Sequence, residues 1–203
     1  MMDTPHLICL IADSRTAALY RSDALNEADR QRVQRNPALA TRTDWQVSRY
    51  LKQQAPLPVC SLSHSKGAAA LLCGGGAIKA GVDIEAMRPR DFAALAGWVA
   101  TENERRILSA NGWQADGFYR LWTLKEALLK AAGLDFPADM PRVGLQTLSD
   151  GLIRLHVNGQ GGWQGISTTV NDGWMLSCVW HGQAEIELQT LGGSACGPVE
   201  RYG

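Results

Sequence analysis

Apolar and polar residues follow one another along the first third of the chain in patterns that predict strands on either side of two helices. Residues 7–12 form a continuous apolar run, which predicts a buried first strand. Asn26 can cap a helix that begins beside it, and apolar residues at helical spacing predict a second helix over about 41–54. Two further strands are predicted over 59–63 and 68–73. This part of the chain therefore follows the order strand, helices, strands.

The rest of the chain repeats that order, although the two parts share no obvious sequence repeat. The triple glycine at 74–76 predicts a turn, and residues 77–80 predict a strand. Three helices follow: one over about 92–98 capped by Asp91, one opened by a capping box at 101–104, and one over about 118–132 closed by Gly133. Four strands are predicted over 143–148, 152–157, 163–170 and 174–180, with hairpin turns at Asp150-Gly151 and Asp172-Gly173. From Gly192 onwards we expect a loose tail.

Two of the predicted elements carry charged residues in a pattern that indicates chemistry. In the segment 81–85, apolar residues alternate with Asp83 and Glu85, so a strand would present both carboxylates on one face. In the long helix, Glu126 and Lys130 are four residues apart and share a face. If strand and helix pack together, three carboxylates and a lysine meet, and such oxygen ligands suit Mg²⁺. Taken alone, Glu126 and Lys130 would be an ordinary surface ion pair.

Composition excludes several classes of protein. The 203 residues allow one domain or two small ones, and 45% apolar with 20% charged residues argues against wholesale disorder. Zero formal net charge argues against a general nucleic-acid binder. No stretch approaches the roughly 20 apolar residues of a membrane span, and no secretory signal is visible. Five cysteines without a C-x-x-C pair are expected to be reduced thiols of a cytoplasmic protein.

Three segments, in this order and spacing, resemble the signature of the 4′-phosphopantetheinyl transferases. They are Ser-Leu-Ser-His-Ser at 61–65, Gly-Val-Asp-Ile-Glu at 81–85 and Trp-Thr-Leu-Lys-Glu-Ala-Leu-Leu-Lys at 122–130. Each segment is common by itself, and the specificity comes from the three together. One departure is Ser61, because many relatives have asparagine at this position.

The resemblance is to the larger, monomeric (Sfp-like) type and implies an α/β (α+β) fold. Two similar halves, each a small antiparallel-rich sheet packed with helices, would be related by a pseudo-twofold axis. The halves would span residues 1–79 and 80–203, with the active site in the cleft between them. No nucleic acid or membrane is implied as a partner.

The same resemblance implies a Mg²⁺-dependent enzyme that transfers 4′-phosphopantetheine from coenzyme A to a serine of an apo acyl or peptidyl carrier protein, releasing 3′,5′-ADP. Asp83, Glu85 and Glu126 would be the metal ligands, and Lys130 would neutralise a phosphate oxygen. Glu126 would take the proton of the serine hydroxyl, directly or through a metal-bound water, with Lys125 a weaker candidate. Catalysis is thus assigned to Asp83, Glu126 and Lys130.

Coenzyme A is expected to contact the first half of the chain as well as Lys130. Ser63, His64 and Ser65 would hold its 3′-phosphate. Arg42 and Arg49 are the preferred phosphate contacts within a locally basic helical segment, although a solvated helix face explains most of that segment's arginines equally well.

Two other functions are compatible with the same residues. A Mg²⁺-dependent hydrolase of nucleotide pyrophosphates could use the three carboxylates, and a catalytically silent carrier-protein-binding module could share the fold. Glu104 is expected to serve its capping box rather than a metal. Arg88 and Arg90 follow Glu85 on a predicted loop, where they would either attract an acidic carrier protein or be solvated.

Overall fold

Two antiparallel-rich sheets packed against helices form the fold, as described by a computed structural model over residues 4–147 and 153–203. The described strands are β1 His6–Ala12, β2 Val59–Ser65, β3 Ala68–Gly74, β4 Ala80–Ala86, β5 Val143–Thr147, β6 Ile153–Val157, β7 Gln160–Val170, β8 Trp174–His181, β9 Glu185–Thr190 and β10 Glu200–Tyr202. The helices are α1 Glu27–Arg35, α2 Thr43–Gln54, α3 Phe92–Val99, α4 Glu102–Ala110 and α5 Ala115–Ala132. The predicted α+β class is confirmed, while the pseudo-twofold relation stays a prediction.

The first sheet is built around β1 and has the strand order β2-β3-β1-β9. After His6 every residue of β1 is buried, as its continuous apolar run predicts. Val47 and Leu51 on α2 pack against one face of this sheet together with residues of β1 and β3. The other face shares a core with the second sheet, in which Cys9 and Leu72 lie with Val82 and Cys178.

The second sheet has the order β4-β8-β7-β6-β5, and β10 pairs with β7 outside this path. Helix α5 covers it, with Leu124 and Leu128 in the core. Strand β4 and α5 approach so closely that a Cβ added at Gly81 would collide with the carbonyl oxygen of Ala127. Only glycine fits there, so the first residue of the segment 81–85 is a packing requirement for seating the strand against the helix.

Helix ends follow the predicted caps. Asn26 and Asp91 accept hydrogen bonds from the first turns of α1 and α3, and Thr101 with Glu104 forms a complete capping box on α4. Gly133 closes α5 in the left-handed conformation, with φ 66°. The predicted turn at Asp172-Gly173 is confirmed between β7 and β8, whereas Asp150-Gly151 lies outside the described residues.

Three predictions about elements were wrong. Residues 77–79 are not a strand, because β4 begins only at Ala80. Strand β9, whose residues alternate between polar and apolar, was missed; it lies parallel to β1 and extends the first sheet from the far end of the chain. The segment from Gly192 is not a loose tail, since it carries β10 and buries Ser194. The division at residues 79 and 80 stays a prediction.

Among the described residues, no helix combines the length and the apolar character needed to cross a membrane.

Candidate active site

Strand β4 and helix α5 bring the predicted charged residues together. Lys130 on α5 places its Nζ 2.7 Å from Oδ1 of Asp83 and 3.2 Å from the carbonyl oxygen of Val82, both on β4. Glu126 lies one helical turn before Lys130 and faces the same way. The strand and helix segments therefore form one cluster, as their patterns predicted, while the roles of its members stay predictions.

Asp83 is buried in this cluster, and its two carboxylate oxygens differ in their hydrogen bonding. Its side chain is only 4% exposed. Oδ1 accepts hydrogen bonds from Lys130 Nζ and from Ser63 Oγ, each at 2.7 Å. Oδ2 is buried and has no hydrogen-bond partner among the described residues. A buried carboxylate oxygen without a partner is costly, so this atom marks a place where a ligand atom or a cation would be stabilising.

The other two carboxylates are held in an environment that disfavours their charge. Burial raises the pKa of Glu126 to about 7, and the negative charges of Asp83 and Glu85 add to the rise while Lys130 opposes it. Burial also raises the pKa of Glu85, against a hydrogen bond from Ser65 that lowers it. Asp83 and Glu85 both raise the pKa of Glu126, and a divalent cation bound beside these carboxylates would relieve that repulsion.

The residues present suit a hard cation, although they do not form a closed metal site. Within residues 4–147 and 153–203, no group of three His, Cys, Asp or Glu side chains lies close enough to hold a metal ion unaided. Two features are those of a Mg²⁺ site built from oxygen ligands: Oδ2 of Asp83 is buried without a hydrogen-bond partner among the described residues, and the pKa of Glu126 is raised. Mg²⁺ commonly keeps several waters and substrate oxygens and is often bound through only about one or two carboxylates, so a closed set of protein ligands is not required.

Strand β2 supplies the hydroxyl groups of the cluster and separates them from His64. Ser63 donates to Asp83, and Ser65 donates to Glu85 Oε2 at 2.8 Å. Successive residues of a strand point to opposite faces, so His64 lies on the other side and is exposed. The structure thus places Ser63 and Ser65 with the carboxylates rather than with His64, a separation that the sequence did not predict.

His64 lies in a basic environment. Desolvation lowers the pKa of its imidazole most, and the positive charges of Arg49, Arg42 and Lys130 lower it further against the opposing charge of Asp44. Arg42 is exposed immediately before α2. The positive charges of Arg42 and Lys130 therefore both act on the imidazole of His64, although His64 lies on the face of β2 that points away from the carboxylates.

The charge of Arg49 acts on His64, but the Arg49 side chain is itself buried against Trp45 of α2 and Asp29 of α1. Its guanidinium lies 3.9 Å from the centroid of the Trp45 ring and its Nε lies 3.2 Å from Oδ1 of the buried Asp29. Burial lowers the pKa of Arg49. Its part in binding a phosphate stays a prediction, and direct contact would require it to leave Asp29.

Lys125, the neighbour of Glu126, points away from the cluster. Its Nζ lies 3.0 Å from Glu104 Oε2, and both side chains are fully buried. Glu104 also accepts hydrogen bonds from the backbone N–H groups of Thr101 and Leu145. These contacts assign Glu104 to the capping box, as predicted, and leave Lys125 without access to the carboxylates on β4.

Two contacts at the site had no counterpart in the sequence analysis. Trp174, predicted only to pack, donates from Nε1 to the carbonyl oxygen of Ser65 at 2.9 Å and so joins β8 to β2. Ser61 accepts a hydrogen bond from the backbone N–H of Val82 at 3.2 Å. The alternation of serines at 61, 63 and 65 could have signalled the second contact, whereas nothing in the sequence distinguishes Trp174 from an ordinary core tryptophan.

Comparison with known proteins identifies the family from the part of the chain that holds most of this cluster. No curated protein sequence matches the chain. A family model described as ACPS, the 4′-phosphopantetheinyl transferase superfamily, matches residues 79–179, which run from just before β4 through α5 into β8. That range contains Asp83, Glu85, Glu126 and Lys130, the residues whose geometry is described above. The chain belongs to the 4′-phosphopantetheinyl transferase superfamily.

Proposed function

We propose that this chain transfers the 4′-phosphopantetheine group from coenzyme A to a serine hydroxyl of an apo carrier protein, in a Mg²⁺-dependent reaction that releases 3′,5′-ADP. The observation that carries the proposal is Asp83, whose Oδ1 is held by Lys130 and Ser63 while its buried Oδ2 is without a partner, in a chain of this superfamily. Such a carboxylate is prepared for a cation that the reaction needs and is hard to explain as a structural ion pair.

Each charged residue of the cluster has a role that its surroundings support. Asp83, Glu85 and Glu126 would hold Mg²⁺, which supplies charge neutralisation at the pyrophosphate oxygens. Lys130 would move from Asp83 towards a phosphate oxygen, since its ammonium group is a mobile point charge. Glu126, with a pKa near neutrality, is suited to accept the proton of the incoming serine hydroxyl.

The basic region around His64 is the proposed site for the 3′-phosphate of coenzyme A. His64 and Arg42 are exposed, and the charges of Arg49 and Lys130 act on the same imidazole. A bound phosphate would reverse the effect of these cations and favour the imidazolium. His64 is thus proposed to bind the donor while Ser63, which lies on the opposite face of β2, binds Asp83.

The carrier protein is proposed to dock on the segment that follows β4. Arg88 and Arg90 are exposed there, and α3 contains no charged residue yet exposes Leu95 and, to 87%, Trp98. An apolar helix beside two arginines suits a partner helix with apolar and acidic residues. The docking surface would then lie a few residues from Glu85.

The test of this function is to incubate the protein with coenzyme A, Mg²⁺ and a panel of apo carrier proteins and to weigh the products. We expect a carrier enlarged by phosphopantetheine, and none with Asp83→Ala. Asp116→Ala, which removes an exposed carboxylate from the first turn of α5, is the matched control and should remain active. Hydrolysis of coenzyme A without modification of any carrier would replace the proposed transferase by a pyrophosphate hydrolase.

The same assay separates the donor and carrier sites. A hydrogen bond to a charged group is worth roughly 1.5–3 kcal/mol, so His64→Ala should raise KM for coenzyme A about ten- to a hundredfold and change that for 3′-dephospho-coenzyme A little. Arg88→Glu with Arg90→Glu should raise KM for the carrier alone. Equal losses with both donors, or normal use of the carrier at low salt, would move these sites elsewhere.

A further inference from the structure

Three serines at alternate positions of β2 connect the first sheet to the charged strand of the second sheet. Ser61 accepts from the N–H of Val82, Ser63 donates to Asp83, and Ser65 donates to Glu85. Strands β2 and β4 belong to different sheets and share no backbone ladder. The serine side chains therefore take the place of a ladder where the two halves meet.

The hydroxyl groups of Ser61, Ser63 and Ser65 make different hydrogen bonds. Ser65 is bound on both sides, since its Oγ donates to Glu85 Oε2 at 2.8 Å and accepts from the N–H of Ala86 at 3.1 Å. A hydroxyl has one proton, so this pair of contacts fixes its direction towards the carboxylate. Ser63 is buried and gives its single proton to Asp83 Oδ1. Ser61 meets only a backbone N–H of β4 and orients no carboxylate.

As a result, Oδ1 of Asp83 is fixed by hydrogen bonds, whereas Oδ2 is available to a ligand. Oδ1 receives both Ser63 and Lys130, while Oδ2 is buried without a partner among the described residues. Hydrogen bonds to one oxygen of a carboxylate hold its plane and so determine where the second oxygen lies. In metal sites, loss of such a partner of a ligand typically costs about ten- to a hundredfold in metal affinity or activity.

We propose that Ser63 and Ser65 are positioning residues that orient Asp83 and Glu85 towards a divalent cation, so that cation affinity depends on the contact between the two sheets. The proposal rests on the cation site of the proposed function, but it does not require that the reaction be transfer to a carrier. It also separates the residues 61–65 into two roles, because alternate side chains serve the cation and His64 faces away from it.

The test is Mn²⁺ binding to the full chain, measured from the electron paramagnetic resonance signal of free Mn²⁺ without coenzyme A or carrier. Ser63→Ala and Ser65→Ala should each weaken binding about ten- to a hundredfold, the range for loss of a partner of a metal ligand. Ser61→Ala, on the same face of the same strand, should bind as the wild type does. Ser63→Thr keeps the hydroxyl and should restore most of the affinity.

Thermal unfolding provides a second measurement that does not depend on turnover. Mn²⁺ should raise the melting temperature of the wild type and of Ser61→Ala, and raise that of Ser63→Ala and Ser65→Ala less at the same concentration. Ser65 is only partly buried, so Ser65→Ala keeps the test valid if Ser63→Ala unfolds.

Three outcomes would overturn the proposal. They are wild-type Mn²⁺ affinity in Ser63→Ala and Ser65→Ala, an equal loss in Ser61→Ala, and no Mn²⁺ binding by the wild type. If the wild type binds Mn²⁺ with the expected pattern of variants but modifies no carrier, the positioning role stands and the proposed transferase function fails.

Discussion

Glu126 shows how a single buried carboxylate can lower the stability of the fold. Burial and the nearby carboxylates raise its pKa to about 7, whereas an unfolded glutamate has a pKa of about 4.3. The folded state therefore favours the neutral acid. Below the unfolded pKa both states are protonated and no stability is lost. Between about pH 4.3 and pH 7 the unfolded chain ionises while the folded state stays neutral, so stability falls as the pH rises and the loss is complete above about pH 7.

Glu126→Gln should consequently stabilise the metal-free protein at high pH. We expect its melting temperature to exceed that of the wild type by several degrees at pH 8 in a chelator, because each kcal/mol shifts it by about 2–4 °C in a chain of this size. The difference should vanish near pH 4.5. Thermal unfolding between pH 4 and pH 8 measures it, with Glu102→Gln, an exposed glutamate on α4, as the control. Equal melting of the wild type and Glu126→Gln at pH 8 would contradict the argument.

Residue types at the site were predictable from the sequence, but their pairings were not. The two-residue period of 81–85 placed Asp83 and Glu85 on one face, and helical spacing placed Glu126 above Lys130. The same two-residue period separates Ser63 from His64, yet the family resemblance grouped them at one phosphate. Which partner Ser63 meets depends on β2 lying beside β4, a contact between sheets that no local pattern contains.

At the scale of elements, α5 is held in place by a buried ion pair on the side opposite to the site. Lys125 and Glu104 are fully buried, and Glu104 also accepts the N–H groups of Thr101 and Leu145. One carboxylate thereby joins the start of α4, the middle of α5 and β5. Since Lys125 immediately precedes Glu126, this junction fixes the rotation of α5 that directs Glu126 and Lys130 at β4.

Removing both members of this pair should cost less than the two single changes added together. Lys125→Met leaves the charge of Glu104 buried, and loss of one partner of a buried pair typically costs about 3–5 kcal/mol. Glu104→Gln with Lys125→Met should cost less than the sum of the single changes. Denaturant unfolding of the three variants gives the coupling energy. The exposed pair Glu102 and Arg106 on α4 is the control, with about 0.3–0.5 kcal/mol expected for such pairs. Additive losses at Lys125 and Glu104 would show that the pair does not act as a unit.

Helices and strands were predictable from the sequence where neighbouring residues alone determine them. Caps and periodicity located α1 to α5 within about three residues, because the first turn and the apolar face of a helix are encoded by neighbouring positions. Strand β9 has the same alternation of polar and apolar residues that predicted β4. The sequence of so short an amphipathic segment does not determine which sheet it joins. Strand β10 is only three residues long, and its existence depends on β7 offering an edge.

At the scale of the whole molecule, the last part of the chain ties the two sheets together. After β8 the chain enters the first sheet as β9 and then returns to pair with β7 as β10. Asp13, at the end of β1, lies at the crossing: Oδ2 accepts from Asn171 Nδ2 at 2.8 Å and from Ser194 Oγ at 3.2 Å. Asn171 in turn exchanges hydrogen bonds with Ala195. Asp13 thus joins the first sheet, the turn between β7 and β8, and the C-terminal segment.

This junction should make the contact between the sheets sensitive to acid. The hydrogen bonds of Arg15 are the largest cause that lowers the pKa of Asp13 to about 2, below its unfolded value of about 3.9. A depressed pKa contributes stability that is complete above the unfolded value and is lost as the pH falls through about 4 towards 2.

Asp13→Asn should be less stable than the wild type at pH 7 by about 1.5–3 kcal/mol, the worth of a hydrogen bond to a charged group. The difference between the two proteins should shrink as the pH falls below 4 and be nearly gone at pH 2. Asp23→Asn, which removes an exposed partner of Arg21, should change little at any pH. Chemical unfolding between pH 2 and pH 7 measures the free energy of unfolding of each protein. A difference between wild type and Asp13→Asn that does not change with pH would mean that the carboxylate charge does not hold the sheets together.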